Sequence, residues 1–236
     1  MNADVGSEMN LSGNTVWGDI DRIRKNAPLI HNITNFVVMN NTANALLALG
    51  ASPVMAHAIN EVEEMVKLAS ALVVNIGTLS DEWVAAMEKA MLSAKQLHKP
   101  IVFDPVGVGA TSYRTATARN LLSIVTPTVI RGNASEIAAI LTEDATTKGV
   151  DSVEESSSAI WAAENIAQNY NCVVVISGAV DFIVSQYKIF RVENGHPIMG
   201  RVTGMGCTAT AIIGAFLAVN PNSASAATHA MAVMGI

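Results

Sequence analysis

The sequence predicts an α/β protein: a mostly parallel sheet with helices on both faces and an antiparallel hairpin at one end. Three observations lead there. Short, apolar, β-branched runs recur along the chain; helix-like stretches separate them; and one pair of runs is joined by a polar turn instead of a helix. Strands that short and that apolar, spaced by helices, belong to a sheet buried on both faces.

The elements follow in order. Leu29–His31 is a first apolar run, followed by an Asn-rich turn and a helical stretch over Asn41–Leu49. Pro53–Met55 reads as the next strand and Glu61–Leu68 as its helix. Leu72–Ile76 is a strand, and Asp81–Leu97 a long helix with Val84, Met87, Met91 and Leu92 on its apolar positions. Ile101–Phe103 is a strand that ends at Asp104-Pro105, with a helix over Thr115–Ile124. Val129–Arg131 and the helical Asn133–Leu141 come next, then a helix over Ser152–Asn169 and the β-branched Val173–Ile176. Phe182–Val184 and Ile189–Val192 flank a polar turn, which is the signature of a hairpin. An apolar helix over Ala211–Val219 and a helical pattern over Ser223–Met234 close the chain.

Composition narrows the class. The chain has 236 residues, half of them apolar and 14% charged, enough to bury one large core. No linker-like stretch divides it, so residues 1–236 are expected to form one domain. The last helical pattern stops abruptly at Gly235-Ile236, and the chain is expected to be truncated at that end. A net charge of −6 argues against nucleic acid as a partner, since phosphate backbones recruit basic faces. Two cysteines, Cys172 and Cys207, lie far apart and form no CxxC, which suits a reduced, cytoplasmic protein. The polar stretch Met1 to Thr15 is no signal peptide, and Ala211–Val219 is too short to span a bilayer, so no membrane association is expected.

Four segments could carry chemistry. Gly204 and Gly206, in Thr203-Gly204-Met205-Gly206-Cys207-Thr208, lead into the apolar helix. Glycines let a backbone approach a ligand, and a helix start turns free amides and a positive dipole end toward it. That makes an anion hole suited to a phosphate; an ordinary glycine turn before a buried helix is the alternative. Arg131-Gly132-Asn133-Ala134-Ser135-Glu136 follows a strand. Its Asn133 and Glu136 could hold magnesium, chiefly through waters, or could form a capping box. Asp104 stands at the carboxyl end of a parallel strand, where ligands of open α/β sheets bind, although Asp before proline is also a common turn. His31-Asn32-Ile33-Thr34-Asn35-Phe36 could line a polar pocket or be a satisfied loop. Met55 and Gly77 also fall at strand ends, and no GxxxxGK[ST] loop is present.

Taken together, HNITNFV at 31–37, ASPVMAHA at 51–58, NIGTL at 75–79, FDPVGVGAT at 103–111, RGNASEI at 131–137 and VTGMGCTATA at 202–211 resemble the ribokinase-like superfamily. Within it they are similar to the hydroxyethylthiazole kinases of thiamine salvage. The resemblance implies a ribokinase-like three-layer sandwich and ATP-dependent phosphorylation of a small primary alcohol. It sets ATP against Arg131 and Ser177, the latter often Thr in the family. It sets magnesium near Asp104 and Glu136, and the thiazole alcohol near Asn35, Met55, Gly77 and Gly204. Cys207 stands where most of the superfamily carries Asp, and the thiazole branch shares this Cys. There it is expected to accept or orient the alcohol proton, with its thiol pKa lowered by the helix start. A homotrimer with sites near subunit contacts is implied as well. The rival readings are another ribokinase-like vitamin kinase, a Cys207-nucleophile acyl-transfer enzyme, and a nucleotide-binding module without catalysis.

Overall fold

The computed structural model describes residues 13–141 and 152–236. The first helix is one that the sequence pattern did not announce: α1, Gly13–Asn26. It buries Ile20 and Ile23 on the sheet-facing side with Val16 partly buried beside them, so its apolar stripe is short. There follow β1 (Leu29–Ile33), α2 (Met39–Leu49), β2 (Ser52–Val54), α3 (Val62–Leu68), β3 (Ala71–Asn75), α4 (Asp81–Gln96), β4 (Ile101–Asp104), α5 (Ser112–Ile124), β5 (Val129–Asn133), α6 (Ala134–Leu141) and α7 (Ser152–Tyr170). The chain then runs through β6 (Val173–Ser177), β7 (Asp181–Val184), β8 (Ile189–Val192), a 3-10 turn (Pro197–Arg201), α8 (Met205–Leu217) and α9 (Ser223–Met234).

The strands form one eight-stranded sheet in the order β2-β1-β3-β4-β5-β6-β7-β8. β1 to β6 are parallel, and β7 and β8 add antiparallel at one edge, as the hairpin pattern predicted. Pro53 sits in β2 at the other edge, where a strand can spare an N–H.

Alternation along the strands sorts the core into two layers. Leu72, Val74, Phe103 and Ile130 face one side and pack on α3 to α7. Ala71, Val73, Val102 and Val129 face the other and pack on α1, α2, α8 and α9. This is a three-layer sandwich. α8 runs through the middle of its layer, buried from Thr208 to Leu217. It approaches so closely that a Cβ on Gly214 would meet Val73 at 2.9 Å. α1 is tied to this layer by the wholly buried Asp19, whose Oδ2 lies 2.5 Å from His229 Nδ1 of α9 and accepts from Asn220 Nδ2 at 2.8 Å.

α8 starts six residues before the apolar run Ala211–Val219 that announced it. Its first turns are built of small and polar residues, which carry no periodic signal. β1 and β3 pair side by side, but the chain leaves β1 toward α2 on one face and leaves β3 toward α4 on the other, which opens a crevice between the two connections. In open α/β sheets this switch point, at the carboxyl ends of the strands, is where ligands bind.

Candidate functional site

Polar residues converge on that crevice. Asn75, the last residue of β3, is the hub. Its Oδ1 accepts from Asn35 Nδ2 at 3.0 Å and from the Gly77 amide at 2.9 Å. Its Nδ2 donates to Asp104 Oδ2 at 2.8 Å. Asn35 Nδ2 also lies 3.4 Å from Cys207 Sγ. Thr210, one turn into α8, donates its hydroxyl to the same Asp104 oxygen at 2.8 Å. A continuous chain therefore runs Cys207–Asn35–Asn75–Asp104–Thr210 from α8 across the loop after β1, the ends of β3 and β4, and back to α8.

The glycines shape this chain. A Cβ on Gly77 would collide with Asn35, so only glycine lets that amide lie against the strand end. Gly204 caps α8 with φ 82°, and a side chain there would also run into Val38. It brings no side-chain cap, and the amides of Met205, Gly206 and Cys207 have no acceptor among the described residues. The space above Gly206 is filled by the Arg131 guanidinium, which would clash with any Cβ added there. Arg131 donates to Ser177 Oγ, and its Nη1 lies 3.7 Å from Asp104 Oδ2. Beyond it opens a cleft of about 500 Å³, walled by Arg131, Ser177, Asp181, Met205, Gly206 and Met231.

The start of α6, on the far side of Arg131, is built differently. Asn133 Oδ1 accepts from the Glu136 amide at 2.9 Å, and Glu136 Oε2 accepts from the Asn133 amide at 2.9 Å. That is a reciprocal capping arrangement. Glu136 Oε1 reaches across to accept from the Gly107 amide at 2.9 Å, fixing the loop after β4.

Burial acts in the same direction on the Asp104 carboxyl and the Cys207 thiol. Burial pushes the Asp104 carboxyl up to about 6, with the nearby Arg131 charge working against it. Its Oδ1 is buried and has no hydrogen-bond partner, as is Arg131 Nε. Cys207 corrects an expectation. Burial first, and the Asp104 charge second, push its thiol above the ordinary value; Asn75, Asn35 and Arg131 oppose this without reversing it. A helix start lowers a thiol pKa only where the thiol stays solvated enough to keep the charge.

Asn35, Gly77, Asp104, Arg131, Ser177, Gly204 and Cys207 thus come together, and Glu136 borders them. Met55 follows directly on the edge strand β2 and joins none of these hydrogen bonds among the described residues. Sequence reasoning missed Asn75 and Thr210. Asn75 did carry a signal: it is the only strongly polar residue in Leu72–Ile76, and it falls at the carboxyl end.

No group of three or more His, Cys, Asp or Glu side chains among the described residues could cage a metal. The orphaned Asp104 oxygen nevertheless fits magnesium, which takes one or two carboxylates and keeps several waters.

An open, mostly parallel sheet closed by a C-terminal hairpin, with a glycine-led helix start at its carboxyl edge, defines the ribokinase-like class. A ribokinase-like superfamily protein from Enterococcus faecalis superposes with a TM-score of 0.64 at 13% identity, covering 90% of this chain and 78% of that one, which shows the fold alone. The model of the Hydroxyethylthiazole kinase family matches residues 20–236, and the chain belongs to that family. It is 58% identical to the hydroxyethylthiazole kinase of Syntrophus aciditrophicus over 229 residues, which are 97% of this chain and 85% of the relative. A solved hydroxyethylthiazole kinase protein from Pyrococcus horikoshii matches with a TM-score of 0.84 and 47% identity, over 92% of this chain and 82% of that one.

Proposed function

We propose that this protein uses ATP to phosphorylate the primary alcohol of hydroxyethylthiazole in thiamine salvage, with the start of α8 as the phosphoryl site. The observation that carries this reading is the uncapped Gly204–Cys207 turn: free amides and a dipole end face the Arg131 guanidinium on one side and Asn35 on the other. Such donors suit the charge that spreads over a phosphoryl group in flight, where positioning and electrostatics supply most of the catalysis.

In this reading Arg131 and Ser177 hold the nucleotide phosphates at the mouth of the Met-walled cleft. Asn35, Gly77, Gly204 and Met55 hold the alcohol on the opposite side. Asp104 offers its unpartnered oxygen to magnesium, with Glu136 behind it through water. When bound, the ion neutralises charge on the phosphates. Cys207 keeps its proton at neutral pH, so the resting thiol orients the alcohol by accepting or donating a hydrogen bond, and only its minor thiolate form can take the alcohol proton. The acyl-transfer alternative has little support: no histidine bonds to Cys207 among the described residues, and the thiol is pushed the wrong way for a nucleophile. Among the described residues no helix is long and apolar enough to cross a membrane. Cytoplasmic residence and a homotrimer with sites near subunit contacts complete the proposal.

ADP release measured against thiazole, pyrimidine and sugar alcohols, with magnesium present, tests it. The thiazole alcohol should turn over fastest. Faster turnover of a hydroxymethylpyrimidine or of ribose would contradict the substrate, and ATP binding without turnover on any alcohol would contradict the activity.

A further inference from the structure

One buried polar group takes no part in the chain of contacts around Cys207. His31, in the middle of β1, is 0% exposed. Its Nε2 lies 2.7 Å from the carbonyl oxygen of Ala56, and its Nδ1 is buried without a partner. Burial holds the ring neutral by lowering its pKa, against weaker pulls from the Ala56 carbonyl and Glu61. A carbonyl only accepts, so the neutral ring must carry its proton on Nε2, and Nδ1 is a bare, desolvated lone pair. Leaving a polar atom unsatisfied costs free energy, and any smaller apolar residue would avoid that cost. The ring is therefore explained by what its other nitrogen holds.

What it holds is the segment leaving β2. Val54 pairs with His31 in the sheet, and the next residues, Met55, Ala56 and His57, leave the strand over the carboxyl edge. No backbone hydrogen bond to another element ties these three down; the next are made by the Ala58 carbonyl at the start of α3. His31 grips the middle of the three. His57 is fixed on the outside, its ring 4.4 Å from that of Trp83 in α4 and 6.5 Å from that of Phe36. Phe36 follows Asn35, which contacts Cys207. An inner hydrogen bond and an outer ring stack thus pin one short segment against the acceptor side of the crevice.

We propose that His31 is a positioning residue for the acceptor alcohol: through the Ala56 carbonyl it sets Met55 and His57 as the outer wall of the alcohol pocket. This rests on the functional reading above, in which Met55 contacts the alcohol. The nucleotide cleft lies at the far side of Arg131 and has no contact with the segment.

The test compares His31→Leu, which removes the donor, with His31→Gln, whose amide can still donate to Ala56, using hydroxyethylthiazole and ATP as the varied substrates. His31→Leu should raise KM for the alcohol about tenfold or more, the size of one lost hydrogen bond that leaves a carbonyl unpaired. KM for ATP should stay within about twofold, and His31→Gln should recover most of the loss. Equal changes in both KM values, failure of Gln to rescue, or a lowered melting temperature with unchanged kinetics would overturn the proposal. Should His31→Leu not fold, His31→Asn, too short to span the 2.7 Å contact, replaces it with the same expectation. A wild-type protein that does not phosphorylate the thiazole alcohol would overturn the functional reading itself, an outcome visible before any variant is made.

Discussion

Two helices begin at the same edge of the sheet, one on each side of Arg131, and they begin in opposite ways. α6 is closed. Asn133 and Glu136 satisfy each other's amides, and the second Glu136 oxygen takes the Gly107 amide. α8 is open. Gly204 turns the chain through a left-handed conformation and offers no side chain to cap it, so its first amides wait for an acceptor. A helix start left uncapped gives up about 1 kcal/mol. Where that is tolerated next to a buried arginine, the amides have another use. The comparison teaches that a helix dipole marks a ligand site only when the local sequence refrains from filling it.

The largest expected effect falls on the open end. Cys207→Ala removes the group that orients the alcohol and, as its thiolate, can take the proton, and kcat should drop by about 10²–10⁴, the range of a general base. Cys207→Asp should retain substantially more activity, because a carboxylate can take the proton and an anion is favoured at a helix start. The neighbouring Asp104 charge will raise that new carboxyl's pKa and leave it short of wild type. A fall to background in both variants would remove Cys207 from the base role, and near-normal Ala would make it a small spacer.

Next comes Gly206→Ala. The added methyl must displace the Arg131 guanidinium, the movable end of a long side chain, so the fold should hold while KM for ATP rises about tenfold. Unchanged ATP affinity would mean that Arg131 is not where the phosphates go.

A third test sharpens the contrast between the two cysteines. Burial pushes the core Cys172 thiol up to about 12, and Cys207 is raised as well. Native protein should therefore react slowly with iodoacetamide at pH 7, at Cys207 alone, and the rate should rise about tenfold per pH unit as the thiolate forms. Fast labelling at neutral pH would reinstate a lowered thiol pKa and break the account of Cys207 as a protonated group at rest.

The smallest effect belongs to the closed end. Glu136→Gln must turn an NH₂ toward one of two amides that now donate to it, so stability should fall by about 1–2 kcal/mol. If Glu136 also supports magnesium through water, the magnesium concentration for half-maximal rate should rise a few-fold. A stability loss with unchanged magnesium dependence would leave Glu136 as a cap only.

Much of this was legible in the chain, for physical reasons that differ by region. The central strands showed because each is an apolar run, mostly β-branched, buried on both faces, and Phe182–Val184 with Ile189–Val192 showed the hairpin because a polar turn cannot be a crossover. α1 did not show, since its buried apolar residues are only Ile20 and Ile23, and its buried Asp19 finds Asn220 and His229, 201 and 210 residues away. In the site, Asp104, Arg131 and Cys207 stood out through position or chemistry. Asn75 and Thr210 did not, because their importance lies in whom they touch, and spacing along one strand or helix cannot report contacts among the loop after β1, the ends of β3 and β4, and α8. The capping box at Asn133 and Glu136 was readable as a pattern, while the uncapped start of α8 was readable only as two glycines. Whether those glycines close on themselves or open on a ligand depends on Val38 and Arg131, which arrive from elsewhere in the fold.

The open end of α8 can be tested directly by following backbone amides in an NMR spectrum while ADP, magnesium and aluminium fluoride, which together mimic a phosphoryl group in flight, are added with the thiazole alcohol. The account predicts large shifts at the amides of Met205, Gly206 and Cys207, and small ones at Asn133 and Gly107, whose amides already have Glu136. Unmoved amides at 205–207 with the complex formed, or shifts centred instead on the start of α6, would contradict it.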